Sequence, residues 1–177
     1  MTPLSPLLLS VNAADLQLCH RLRAWAPPRW FQLSMVAATR FGDGPGWLAV
    51  ALGLVASGAP GRAAVACGVL AAFVASVTFM ALKRRFRRRR PCDIAPHPVV
   101  RVRPPDAFSF PSGHTMNAFA IATVLAVRFP ALSPALFLLA AAIGASRVVL
   151  GLHFASDVGV GAALGALIGA AMSLLFP

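Results

Sequence analysis

Three separated segments of the sequence carry side chains that could act together on a phosphate ester. They run from Lys83 to Pro91, from Pro111 to His114 and from Ser146 to Asp157, and they supply two histidines, several cations and one carboxylate. A phosphate monoester carries about two negative charges, and its hydrolysis needs charge stabilisation, a nucleophile and a proton donor for the leaving oxygen. These residue types therefore indicate phosphate-ester chemistry.

The third segment places a histidine and a carboxylate one helical turn apart. His153 and Asp157 then share a helix face, where the carboxylate can hold Nδ1–H and leave Nε2 as a nucleophile or base. The alternative is a satisfied His–Asp pair that caps the helix. Arg147 precedes them across a short turn, and it either reaches the same place or extends to lipid headgroups.

The second segment places His114 at the start of an apolar span, where an ionisable side chain is costly and marks a functional candidate. Ser112 can cap this helix, and the free backbone N–H groups around Gly113 can hold an anion. Asn117, one turn further on, lines a pocket or bonds to another helix.

The first segment is a basic run, and such runs usually flank a membrane span among anionic headgroups. Most of its arginines fit that description. Lys83 and Arg90 stand out only by their spacing, which becomes informative beside the other two segments.

The composition predicts a membrane protein. Of 177 residues, 58% are hydrophobic and 12% charged, with a mean hydropathy of +0.76. The charge of +11 comes from cations beside apolar segments, which fits anionic lipids and argues against a nucleic-acid-binding protein. Cys19, Cys67 and Cys92 have no metal-ligand spacing.

The hydrophobic pattern predicts an all-α, polytopic helical bundle with five membrane spans. Four of the five apolar stretches approach the roughly 20 residues that a bilayer core requires, and the first is short. The stretches are Pro45 to Gly61, Arg62 to Leu82, Gly113 to Phe129, Ala131 to Leu150 and Phe154 to Phe176. Turns at 57–61 and 129–130 then lie on a far face, and segments 83–112 and 151–153 on a near face, so five crossings gather all three segments at the near face.

The N-terminal part differs from this core. Segment 13–40 mixes apolar residues with arginines and tryptophans, which predicts an interfacial helix broken at Pro27-Pro28. Residues 42–46 are rich in glycine and predict a turn, whereas Met1 to Leu9 lacks the features of a removable signal peptide. We therefore expect one membrane domain over 1–177, with an interfacial segment at 1–44 and a helical core at 45–177.

Taken together, the three segments resemble the signature of the type 2 phosphatidic acid phosphatase family over roughly residues 62–176. The matching residues are Lys83, Arg90, Pro91, Pro111, Ser112, Gly113, His114, Ser146, Arg147, His153 and Asp157. Their joint occurrence in this order is far more specific than any one part. Membrane enzymes of this family commonly have six spans, so the five predicted here are a departure that concerns the first element.

The resemblance implies a membrane-bound lipid phosphatase that works through a phosphohistidine without a metal or other cofactor. His153 would be the nucleophile, Asp157 would orient it and His114 would be the acid and base. The phosphate would be bound by Lys83, Arg90, Ser112, Gly113 and Arg147. Phosphatidic acid, phosphatidylglycerol phosphate and polyprenyl phosphates or diphosphates are all candidate substrates.

Three other functions stay open at this stage. A lipid phosphotransferase would use the same site, a vanadium haloperoxidase would use a similar site in a soluble protein, and a non-catalytic lipid-binding protein would not need both histidines.

The near face carries every lysine and arginine except Arg62 and Arg128, which predicts a bacterial inner-membrane protein with a cytoplasmic site. Many bacterial members of the family face the periplasm, which is the alternative. The loop 92–110 is expected to border the pocket.

Overall fold

The structure is a computed structural model that describes residues 6–25, 27–94 and 106–177. Within these ranges the chain folds into a bundle of α-helices. They are α1 (Pro6–Ala24), α2 (Arg29–Gly42), α3 (Pro45–Ala56), α4 (Ala59–Phe86), α5 (Pro91–Ile94), α6 (Gly113–Arg128), α7 (Ser133–Val149) and α8 (Ala155–Leu175). Residues 1–5 of the apolar start and 95–105 of the loop predicted to border the pocket lie outside the described residues.

The predicted spans correspond to helices. Three segments, Ala59–Ile94, Pro130–Val149 and Ala155–Leu175, are long and apolar enough to cross a membrane. The other two predicted spans are shorter, because α6 has 16 residues and α3 has 12. At 1.5 Å per residue α3 is about 18 Å long, which is less than the roughly 30 Å of a bilayer core.

Helix α2 lies along the bundle ahead of α3. Met35 packs against the cluster that contains Leu152, and Gly42 lies beside Ile143, so α2 runs antiparallel to α7. Helix α3 continues in the same direction, with Leu54 in the deeper apolar cluster. The predicted break at Pro27-Pro28 is confirmed, since α1 ends before it and α2 begins just after it.

Both glycine-rich turns are shorter than predicted. The first comprises Asp43 and Gly44, where Gly44 has a φ of 132°, a conformation that suits glycine. The second comprises Ser57 and Gly58. In each case a proline at the start of the next helix allows the helix to begin early, because its missing N–H would have had no helical partner.

Glycines allow α8 to approach α6 closely. Gly161, Gly165 and Gly169 recur every four residues and face the α6 backbone, and a Cβ at Gly161 would lie 2.8 Å from the Ser112 carbonyl oxygen. Gly159, the fourth glycine of the helix, has no described neighbour within 4 Å of its Cβ position. Three of the four glycines therefore form the helix contact.

Candidate active site

The three segments meet around one cavity at the near end of the bundle, as the five-span topology predicts. The cavity has a volume of about 270 Å³ and is lined by residues from across the chain. Its lining residues are Gly42, Asp43, Phe79, Lys83, Arg90, Asp106, Gly113, His114, Asn117, Arg147 and His153. Both candidate histidines and all three candidate cations therefore face a single space.

His153 is 1% exposed and lines this cavity. An Arg90 Nη1 atom lies 3.1 Å from Nε2 and also donates to the Leu152 carbonyl at 2.7 Å. Burial, opposed by Asp157 and assisted by Arg90 and Arg147, lowers the pKa of His153 to about 3. The imidazole is therefore neutral near pH 7, and its Nε2 lies within hydrogen-bonding distance of Arg90.

The expected hydrogen bond between His153 and Asp157 is not formed. The Nδ1 atom is buried without a hydrogen-bond partner among the described residues, and it lies 3.7 Å from Asp157 Oδ2, which is too long for a hydrogen bond. Asp157 Oδ2 instead accepts from the Phe154 backbone N–H at 2.9 Å, and Oδ1 accepts from Arg88 at 2.6 Å. Asp157 is thus near His153, but two other donors hold it.

Arg88 belongs to the basic run that the sequence predicts to flank the membrane, but in the structure it contacts the candidate catalytic residue Asp157. Its guanidinium pairs with Asp157 and, at 2.8 Å, with Asp15 of α1. It also lies 4.1 Å from the centroid of the Phe154 ring. Asp15 in turn accepts from the Ser156 backbone N–H at 3.1 Å. The N-terminal helix is therefore attached to the start of α8 through two ionic side chains.

Lys83 and Arg90 both bind one carboxylate, that of Asp106. Lys83 donates to Oδ2 at 2.6 Å and Arg90 donates to Oδ1 at 2.7 Å. Although burial alone would raise it, the pKa of Asp106 is lowered by these two hydrogen bonds and cations. Asp106 stays ionised at neutral pH, and each of its two carboxylate oxygens pairs with one cation.

His114 contacts a carboxylate that no sequence motif indicates. Its Nε2 lies 2.6 Å from Oδ1 of Asp43, which occupies the turn between α2 and α3. The sequence identifies this segment only as a turn. Because Asp43 lies 71 residues before His114, only the tertiary structure shows their pairing.

Arg147 lines the cavity and donates to the buried Thr39 hydroxyl of α2, while its Nε has no partner in the part of the chain that the structure describes. Asn117 combines both roles predicted for it, because it lines the cavity and its amide donates to Ser76 of α4 at 3.3 Å.

Ser112 differs from its prediction in one respect. It is the N-cap residue of α6 by position, but its hydroxyl lies 2.9 Å from the Thr115 hydroxyl and caps no backbone N–H. Ser112 is fully buried, whereas its neighbour Gly113 lines the cavity. Gly113 is therefore better placed than Ser112 to contact an anion in the cavity.

Comparison with known proteins identifies the family. The family model described as the PAP2 superfamily matches residues 62–177. The chain belongs to the PAP2 superfamily. This assignment confirms the resemblance to the type 2 phosphatidic acid phosphatases, and the matched region contains all three segments of the signature.

Characterised relatives of this PAP2 protein are phosphatases. The decaprenylphosphoryl-5-phosphoribose phosphatases of Mycobacterium tuberculosis and Mycolicibacterium smegmatis are 39% and 38% identical to it. Each alignment covers 71% of this chain and 68% of the relative. The protein is accordingly an enzyme, a membrane-bound phosphatase that hydrolyses lipid phosphates.

Solved PAP2 structures share the fold. The transmembrane PAP2-type phosphatidylglycerolphosphate phosphatase of Bacillus subtilis superposes with a TM-score of 0.75 at 27% identity, over 94% of this chain and 86% of that one. LpxE of Aquifex aeolicus gives 0.74 at 30% identity, over 89% and 93%. The helical membrane bundle predicted from hydropathy is confirmed.

Proposed function

We propose that this PAP2 enzyme cleaves its lipid phosphate through a phosphohistidine formed at His153. The observation that carries the proposal is the position of a neutral, buried Nε2 in a cavity lined by Lys83, Arg90 and Arg147. These cations can bind the equatorial oxygens and stabilise the charge of the transition state, with the Gly113 N–H and the Ser112 hydroxyl as further candidates.

The reaction would proceed in two displacements. The Nε2 lone pair of His153 attacks phosphorus, a P–N bond forms, and the P–O bond to the lipid breaks while His114 gives its proton to the leaving oxygen. Water then attacks phosphorus as neutral His114 takes its proton, the P–N bond breaks, and phosphate leaves. Asp157 stabilises the positive charge that His153 gains in the intermediate. No step uses a metal or other cofactor.

Phosphate binding would displace the Asp106 carboxylate. Asp106 engages Lys83 and Arg90 in the free enzyme, and Arg90 also donates toward Nε2 of His153. An arriving phosphate dianion offers more negative charge and more acceptor oxygens than one carboxylate, so it competes for both cations. Release of Arg90 from Nε2 would free the nucleophile as substrate binds.

The substrate we favour is a polyprenyl-linked phosphate. An apolar groove of about 280 Å³ between α3, α4 and α6, which include Trp47, Ala72 and Ile121, has room for an isoprenoid or acyl chain. Two of these helices, α4 and α6, also line the catalytic cavity. Two relatives carry names that specify a decaprenyl-linked substrate, which favours the isoprenoid over the acyl chain.

We further propose that residues 1–177 act as one domain in a bacterial inner membrane, with the site on the cytoplasmic side. The attachment of Asp15 to Arg88 supports a single domain. The basic residues at the near end support the orientation, because positively charged segments are retained in the cytoplasm.

The decisive experiment measures phosphate release by detergent-purified protein in EDTA, from polyprenyl phosphates, phosphatidic acid and phosphatidylglycerol phosphate. We expect metal-independent release by the wild type. His153→Ala and His114→Ala should each lose about 100-fold or more of the activity. Radiolabelled substrate should leave an acid-labile phosphoenzyme in the wild type but none in His153→Ala. Full activity of His153→Ala would contradict the proposal.

A further inference from the structure

The candidate catalytic histidine His114 contacts a carboxylate, Asp43, that lies outside the three signature segments. Asp43 Oδ1 and His114 Nε2 are 2.6 Å apart, within hydrogen-bonding distance. The Asp43 side chain is 32% exposed and lines the same cavity as Lys83 and Arg147. A carboxylate is therefore built into the wall of a space that binds an anion.

This placement needs a physical reason, because a carboxylate in an anion-binding cavity repels the substrate. Arg40 is a weak partner for Asp43, since the two atoms are 3.4 Å apart and the Arg40 side chain is 65% exposed. The shorter contact is with His114. Protonation of His114 would neutralise Asp43 and remove most of its cost to phosphate binding.

The charges around His114 show what Asp43 contributes. Burial disfavours a positive charge on the imidazole, and so do Arg147 from α7 and Lys83 from α4, which line the same cavity. The Asp43 carboxylate, 2.6 Å from Nε2, favours that charge. A proton donor for the leaving oxygen must carry its proton when substrate arrives. The Asp43 carboxylate therefore offsets, at His114, the unfavourable effect that the two phosphate-binding cations have on the protonated imidazole.

We propose that Asp43 is a positioning residue for His114, in an inference that rests on the proposed function. Its carboxylate accepts Nε2–H, stabilises the imidazolium and turns Nδ1–H toward the leaving oxygen. When the P–O bond breaks, the Nδ1 proton moves to that oxygen and Nε2–H stays on Asp43. When water attacks, its proton returns to Nδ1.

The test compares Asp43→Asn, Asp43→Glu, His114→Ala and the double variant Asp43→Asn with His114→Ala, using a polyprenyl phosphate in mixed micelles from pH 5.5 to 8.5. Asp93→Asn is the matched control, because Asp93 is exposed. We expect Asp43→Asn to lower kcat about 10- to 100-fold without raising KM. Its high-pH limb should move to lower pH, because an imidazolium without its carboxylate loses the proton more readily. Asp43→Glu should restore part of kcat.

The double variant separates positioning from simple structural support. If Asp43 acts through His114, the double variant should be no slower than His114→Ala, because the two effects are not additive. Additive losses, an unchanged high-pH limb, or wild-type kcat in Asp43→Asn would overturn the inference. Failure of the proposed function is a separate result, since it would appear as an active His153→Ala with no phosphoenzyme in the wild type.

Discussion

At the scale of single residues, the distribution of carboxylates is the most informative feature. The chain has five acidic residues, and four of them contact candidate catalytic or cationic groups at the near end of the bundle. They are Asp15, Asp43, Asp106 and Asp157. The fifth, Asp93, is exposed and does not line the cavity. Because carboxylates are costly in a membrane protein, this clustering indicates that most of them serve the site.

Arg88 gives the first prediction at this scale. Arg88→Gln leaves the fully buried Asp157 without its cation and detaches Asp15, so we expect a destabilisation on the order of 3 kcal/mol. Thermal unfolding in detergent should show a lower Tm, and phosphate release should fall about tenfold or more as Asp157 shifts. Arg87→Gln is the matched control, because Arg87 is exposed in the same run. Equal Tm values for the two variants would refute the assigned role.

At the scale of elements, the contact between α6 and α8 positions the chemistry. Helix α6 begins at Gly113, next to His114, and α8 begins two residues after His153. The Ser112 N–H donates to the Asp157 carbonyl at 3.0 Å, so the two helix starts are joined directly. The glycines of α8 set how closely these starts approach.

Gly165→Val therefore tests the helix contact. A Cβ at Gly165 would collide with the Met116 backbone carbonyl, which cannot move without shifting α6. We expect a loss of about 1–3 kcal/mol of stability and a lower kcat as the histidines separate. Gly159→Val on the same helix is the control, since no atom lies within 4 Å of that Cβ position. Similar Tm and kcat values in both variants would show that the contact does not position the site.

At the scale of the whole molecule, charge is distributed unequally between the two ends of the bundle. Arg62 lies in the first turn of α4 and Arg128 is the last residue of α6, and both are at the end of the bundle away from the cavity. The remaining lysines and arginines lie in near-face segments or in the N-terminal part. This asymmetry is the physical basis for the proposed orientation.

A reporter fused after Pro177 checks this orientation. Helix α8 runs from the cavity end to the opposite end, so a cytoplasmic site places the C-terminus in the periplasm. Alkaline phosphatase fused there should be active, and green fluorescent protein should be dark when exported through the same pathway. A second reporter pair at residue 58, in the far-face turn, should give the same result. The reverse pattern would place the site in the periplasm.

The amino-acid sequence alone determined the bundle, its five apolar stretches and most of the cavity. Hydropathy is a local property, and the five-span alternation brings Lys83, His114 and His153 to one end without further information. The partners of those residues needed the tertiary structure. Arg88 is one of several adjacent arginines, and nothing in the sequence distinguishes it from the others. Asp43 lies between two glycines, so the sequence indicates only a turn at this position.

Which carboxylate meets which cation was decided by packing between segments far apart in the chain. Asp157 pairs with Arg88 in preference to a hydrogen bond with His153, because Arg88 follows the end of α4 closely and is held at this place by Asp15 of α1. Sequence spacing specifies which side chains share a helix face. The distances between charges on different helices depend on how closely the backbones pack, which only the folded molecule determines.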